Sequence, residues 1–202
     1  MEEKMKDTDK KKDFKFDKRA EKYDDHFEGK LSKVFYQLIY DNISLEDSCE
    51  LLDVGCGTGT ILKTLSEKCK INGHGIDVEP NMLRIAEAKC PQMDIRLCSC
   101  NDTPYEDNFF DVITCCMAYH HFPSKSGFED EARRILKPNG LLYIADPNFP
   151  KIIRRLINRI VRNLNGEFFS SEELIARFAR AGFSPVAVKK KAYGQLVILT
   201  AY

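Results

Sequence analysis

The feature that most constrains this chain is a short apolar run, Leu51-Leu52-Asp53-Val54, that passes directly into Gly55-Cys56-Gly57-Thr58-Gly59 and then into residues of helical pattern. Glycine tolerates positive φ and has no side chain to keep a ligand off the backbone. The helix start behind such a turn contributes unpaired N–H groups and the positive end of its dipole. A strand, glycine turn and helix in this order suit a nucleotide-like ligand or a carboxylate. The dinucleotide fingerprint wants G-x-G-x-x-G, and here the third glycine, Gly59, comes one place early. A second apolar stretch ends at Asp77, 22 residues beyond Gly55. A carboxylate so placed can accept hydrogen bonds from ribose hydroxyls, although a lone Asp at a strand end is more often a cap or a solvated group.

Strand and helix patterns alternate from there. Apolar runs at 49–55, 73–78, 94–98, 110–116 and 141–145 read as strands, and 60–69, 80–89 and 127–136 read as helices. Pro80 suits a first helical turn, and Lys137-Pro138-Asn139-Gly140 is expected to stop the third helix. Alternation of this kind implies parallel strands joined by right-handed crossovers, hence a doubly wound α/β sheet with helices on both faces. After Asp146 the pattern changes. Residues 152–164 form a basic amphipathic helix, 171–181 a helix capped by Ser170-Ser171-Glu172-Glu173, and 183–190 with 195–202 an antiparallel hairpin at the sheet's edge. The domain reading is a disordered, Lys-rich leader at 1–15, a helical lid at 16–48, and a core at 49–202 with a helical insertion at about 150–165.

Composition narrows the function. With 202 residues the chain suits one domain, and 31 basic against 31 acidic side chains give no argument for nucleic-acid binding. No apolar run approaches a membrane span, and Met1-Glu2-Glu3-Lys4-Met5-Lys6 lacks a signal-peptide core, so a cytoplasmic protein is expected. The eight cysteines include no C-x-x-C pair, and no metal site is expected. Cys98 and Cys100 could share a face and hold a soft metal or arsenic; reduced thiols filling small apolar positions is the commoner use.

Four ordered segments resemble the motifs of class I S-adenosylmethionine-dependent methyltransferases of the small-molecule type, across about residues 50 to 147. Leu51 to Thr60 resembles the family's D-x-G-x-G-x-G, and Asp77-Val78-Glu79-Pro80-Asn81-Met82-Leu83 its ribose acid with the following helix start. Asp107 to Ile113 is similar to the entry into the fourth strand, and Ala132 to Gly140 to the helix and turn before the fifth. The fold implied is Rossmann-like, mostly parallel with an antiparallel C-terminal hairpin, and the cofactor is S-adenosyl-L-methionine with S-adenosyl-L-homocysteine as product. By the same resemblance Gly55, Cys56, Gly57 and Gly59 meet the methionine moiety and sugar, and Asp53 helps position the amino group. Asp77 takes the ribose hydroxyls, Val78 and Met82 flank the adenine, and Ser99, Cys100 and Asn101 lie at the adenine edge. Ser99 stands where the family often has an Asp for the adenine amino group; Asn101 or a carbonyl could take over that contact. Cys116 and Met117 touch the cofactor, and Tyr23, in Ala20-Glu21-Lys22-Tyr23-Asp24, sits over it as part of a lid.

Ligands in such sheets bind beyond the carboxyl ends of the strands. Tyr119, His120 and His121 fall there, and resemble the family's frequent His-His pair. A His here could act as general base, orient the acceptor, or serve as a structural hydrogen-bonder. The basic helix carries Arg154, Arg155, Arg159 and Arg162 beside Ile153, Leu156, Ile157 and Ile160. It suits an anionic substrate, a membrane surface carrying a lipid acceptor, or a partner, though such runs are more often simply solvated. The function expected is methyl transfer to a small-molecule acceptor by in-line displacement. The alternatives are a non-catalytic S-adenosylmethionine-binding protein and a nucleotide-dependent oxidoreductase. Acceptor and oligomeric state are not read from the sequence.

Overall fold

The computed structural model describes residues 27–161 and 166–202. Seven strands form one sheet in the order β3-β2-β1-β4-β5-β7-β6. They are β1 (Glu50–Val54), β2 (Asn72–Asp77), β3 (Asp94–Leu97), β4 (Phe110–Cys116), β5 (Leu136–Pro147), β6 (Phe183–Lys191) and β7 (Gly194–Ala201). The first five are parallel, with Leu52 opposite His74 on one side and Ile113 on the other. β7 runs antiparallel between β5 and β6, so the expected hairpin is present with its second strand inserted and only β6 at the edge. Strand order reverses between β1 and β4, which opens a crevice at their carboxyl ends.

The described residues form six helices: α1 (Phe27–Tyr40), α2 (Thr60–Ser66), α3 (Pro80–Lys89), α4 (Lys125–Ile135), α5 (Lys151–Val161) and α6 (Ser171–Arg180). Strand side chains alternate between faces, and this chain buries both. Leu52, Ile113, Leu142 and Ile144 pack with Phe128, Ile135, Leu174 and Phe178 of α4 and α6. Leu51, Val112 and Tyr143 pack on the opposite face with Phe35 and Ile39 of α1, Leu62 of α2 and Leu83 of α3. Burial on both faces explains why these strands read as unbroken apolar runs. Ser170 and Glu173 start α6 with the reciprocal capping box its sequence announced.

The start of β5 differs from expectation. α4 hands over directly to β5 at Leu136, so Lys137 to Gly140 continue the strand, with a register shift between Phe110 and Val112 absorbing the irregularity. α5 is described as far as Val161, and its expected end at 164 lies outside the described residues. Of the segment read as a lid, α1 is a packed wall: Phe35 and Ile39 are fully buried, and Gly194 leaves room for the Phe35 ring beside β7. The remainder of that segment, with Tyr23 and the leader, lies outside the described residues.

Candidate functional site

The glycine turn is stitched to the end of β2. Gly55 and Cys56 N–H donate to the Ile76 carbonyl at 2.9 and 3.0 Å. A Cβ at Gly55 would lie 2.5 Å from that of Ala118, so the turn touches the loop that follows β4. Gly57, at φ +52°, has nothing within 4 Å of where a Cβ would sit and faces open space. Gly59 caps α2 and permits close packing on Ala86 of α3. Of the three glycines, Gly57 is therefore the one whose missing side chain leaves room for a ligand.

Two carboxylates lie beneath this opening. Asp53 is buried and accepts the Thr114 hydroxyl at 2.7 Å. Burial pushes its carboxyl up to about 7, the Thr114 hydrogen bond opposes the rise, and the nearby charge of Asp77 adds to it. Asp77 Oδ2 accepts Gly57 N–H at 2.8 Å, and Oδ1 accepts Val78 and Glu79 N–H at 2.7 and 3.0 Å. Burial raises this carboxyl too, against those three donors. A carboxylate offers about four lone-pair positions. Three of them are used here, so Asp77 clamps the turn to β2 and keeps acceptor capacity for a ligand donor. A cationic ligand beside this pair would relieve the strain of two neighbouring buried negative charges.

The other expected residues lie in the segments that follow β1 to β4 or at the end of β4. Val78 is exposed, whereas Met82 is buried in the first turn of α3. Ser99, Cys100 and Asn101 follow β3; Ser99 Oγ accepts Asn101 N–H, and a Cβ on Gly127 would meet the Asn101 side chain at 3.0 Å. Cys56 and Cys116 are buried, and burial holds their thiols well above the usual range. The Cys100 thiol is pushed up to about 12 by the same cause, so none of these is a ready nucleophile. Met117 closes β4 at φ +55°, a left-handed conformation uncommon outside glycine. Among the described residues no cluster of His, Cys, Asp or Glu could hold a metal ion.

The loop after β4 contains a one-turn helix, Tyr119–His121, that separates its three candidates. The Tyr119 hydroxyl donates to Glu129 and accepts Arg177 Nε at 2.9 Å in the interior between α4 and α6. Burial raises its pKa, and the Glu129 hydrogen bond adds to the rise. His121 is exposed and its ring centroid is 4.0 Å from that of His120. His120 is 3% exposed, with Nδ1 2.8 Å from Asp146 Oδ1 and its backbone N–H 3.1 Å from Oδ2. Phe168 stacks on the His120 ring at 4.7 Å.

Asp146 was not singled out in the sequence; its signal was an acid at the end of the fifth strand, level with the other strand ends. Across the antiparallel register it faces Gln195. Gln195 is fully buried, donates Nε2 to the Phe169 carbonyl at 2.8 Å, and leaves Oε1 without a hydrogen-bond partner.

A seven-stranded sheet of this order, with a glycine turn over buried carboxylates, defines the architecture of a methyltransferase. Comparison with known proteins agrees, since residues 52–144 match the profile of the methyltransferase domain family. The chain belongs to the class I S-adenosylmethionine-dependent methyltransferases. It is 27% identical over 198 residues to the demethylmenaquinone methyltransferase of Staphylococcus aureus, covering 84% of this chain and 82% of that one. It is 33% identical over 119 residues to an uncharacterized methyltransferase of Schizosaccharomyces pombe, covering 52% of this chain and 41% of that one. A chain of the complex between the Haloferax volcanii Trm112 methyltransferase activator and a putative methyltransferase superposes with TM-score 0.80 at 19% identity, covering 93% of this chain and 97% of that one.

Proposed function

We propose that this chain transfers a methyl group to a small-molecule acceptor, with His120 of the His120–Asp146 pair taking the acceptor's proton. When bound, S-adenosylmethionine supplies the activated methyl on a sulfonium. The residues present fit that cofactor. Gly57 faces open space at the turn, and the buried carboxyl groups of Asp53 and Asp77 suit its cationic centres, which would favour their ionised forms. In this reading Gly55, Cys56 and Gly57 line the cofactor, Asp77 takes the ribose hydroxyls, and Met117 with the loop at Ser99 to Asn101 borders it. Gly59 contributes by packing α2.

The observation that carries the acceptor side is the buried His120–Asp146 contact at 2.8 Å. Asp146 holds Nδ1, which leaves Nε2 as the nitrogen that exchanges a proton. As the acceptor is methylated, its proton would pass to Nε2 of His120, while Asp146 would stabilise the imidazolium so formed. Orientation within such a site can supply about 7–11 kcal/mol of barrier lowering in ideal cases.

The test has two stages. Calorimetric titration with S-adenosylmethionine, S-adenosylhomocysteine and NAD first reads ligand class. Selective binding of the adenosyl ligands supports the reading, and preference for NAD would favour a nucleotide-dependent oxidoreductase. An acceptor panel with labelled methyl then follows on Asp146→Asn. That change should lower kcat by roughly tenfold or more with KM little moved, because the His tautomer is no longer fixed. Tight adenosyl binding with no turnover on any acceptor would move the non-catalytic reading ahead.

A further inference from the structure

Helix α5 is oriented against the usual amphipathic rule, under which the apolar stripe faces the core. Its inward contacts are polar. Arg154 is buried, donates to the Phe149 carbonyl at 3.2 Å and pairs with Glu173 at 3.0 Å. One turn on, Asn158 exchanges two hydrogen bonds of 2.9 Å with the backbone of Phe168. Outward, Ile152, Leu156 and Ile160 are 83%, 62% and 67% exposed, with Ile153 beside them at 49%. At i, i+4 and i+8 the first three stack along one line of the helix. Lys151, Arg155 and Arg159 are exposed and, at four-residue spacing, form a parallel line along one side of it. No acidic residue occurs in the helix.

Large aliphatic side chains on a solvent-facing line mark an interaction surface. The charge pattern selects the occupant: an apolar stripe flanked along one side by cations, with no acidic residue in the helix, matches the boundary between acyl chains and anionic headgroups. The adjoining hairpin tip, tied to this region by Asn148 N–H to the Tyr193 carbonyl at 2.8 Å, adds partly exposed Tyr193, a residue type favoured at that boundary. Among the described residues no helix is long and apolar enough to cross a membrane, so α5 would lie on the surface.

We propose that α5 docks in the headgroup plane of an anionic lipid membrane and that the acceptor is a lipophilic molecule taken from it. The second half rests on the acceptor site proposed above. The link is short: α5 begins four residues after the end of β5, and Asn158 holds the backbone of Phe168, whose ring covers His120.

The test is flotation of the full chain with vesicles of phosphatidylcholine alone and of phosphatidylcholine with phosphatidylglycerol. Binding is expected to the second kind and to weaken with salt. Arg155→Gln with Arg159→Gln should weaken it roughly thirty-fold, the equivalent of about 1 kcal/mol for each of the two removed charges. Ile152→Gln with Leu156→Gln should abolish it. All four side chains are exposed, so both variants should keep the native unfolding temperature and the cofactor affinity of the parent. No flotation with phosphatidylglycerol vesicles, or flotation unmoved by either variant, overturns the proposal. So does light scattering that finds a dimer which Ile152→Gln with Leu156→Gln dissolves, since a second copy then covers the stripe. Cofactor titration of the same samples separates the readings, because loss of adenosyl binding would count against the methyl-transfer site and not against docking.

Discussion

Replacing Gly57 and Gly55 in turn by alanine separates the ligand cradle from the fold beneath it. Both sit at positive φ, +52° and +71°, where an L-residue is strained. That strain is about 1–2 kcal/mol, partly offset by about 0.4–1 kcal/mol from a stiffer unfolded chain. Gly57→Ala meets no neighbour, so its net cost should be about 1 kcal/mol, a Tm loss of roughly 2–4 °C for a chain this size. Gly55→Ala adds an overlap, its Cβ lying 2.5 Å from Ala118 Cβ. Overpacking contributes about 1–3 kcal/mol more, giving a Tm loss of roughly 5–15 °C. Affinity should rank differently from stability. The methyl of Gly57→Ala enters the space a ligand would use, and S-adenosylmethionine binding should fall by about tenfold or more, or about 1.4 kcal/mol. Thermal scans and calorimetry on both variants read the two quantities. If Gly57→Ala binds the cofactor as the parent does, or unfolds as early as Gly55→Ala, the division of labour within the turn is wrong.

Without cofactor, Asp53 keeps its proton in the fold up to about pH 7, whereas an unfolded carboxyl loses it near roughly pH 4. The folded state therefore binds the extra proton in that window, stability falls as pH rises through it, and Asp53→Asn should flatten the slope in denaturant titrations at a series of pH values. A slope unchanged in the variant would count against burial as the cause of the raised Asp53 pKa. Arg177→Met leaves Glu129 in the interior with only the Tyr119 hydroxyl, and should cost about 2–4 kcal/mol once the partial exposure of Arg177 is discounted. Tyr119→Phe should cost about 1 kcal/mol, and urea unfolding that finds the two variants equal would remove the buried ion pair from the account.

The parallel half of the fold was readable because its strands are buried on both faces. Leu51 and Leu52, or Val112 and Ile113, send adjacent side chains into opposite cores, so the strands stand out as dense apolar runs. The glycine turn was equally plain, since few residues other than glycine occupy Gly55, Gly57 and Gly59 at positive φ. The start of β5 was misplaced for a local reason. Lys137-Pro138-Asn139-Gly140 has turn chemistry and Asn139 does adopt φ +65°, but pairing between Phe110 and Leu136 draws the segment into the strand. Tertiary pairing overrode the propensity.

The proposed acceptor side was harder to read because its parts are adjacent only across the sheet. Asp146 and Gln195 stand 49 positions apart and meet because β7 folds back antiparallel beside β5 in a register that opposes them. No local pattern encodes that register. His120 looked like one of three equivalent candidates, yet one helical turn carries Tyr119 into the interior, His121 to solvent and His120 onto Asp146. The same blindness affected α5, where the strong segregation of isoleucines from arginines correctly announced a helix but not which side faces inward. That choice was made by Glu173 and the Phe168 backbone, which offer Arg154 and Asn158 partners unavailable to an aliphatic side chain. Burying Arg154 with a carboxylate and a carbonyl satisfies its charge, and the geometry of the helix then carries Ile152, Leu156 and Ile160 outward. The exposed stripe is thus a consequence of how the chain roofs His120: the inner side of α5 holds Phe168, whose ring stacks on His120, and the outer side carries the stripe for which lipid docking is proposed.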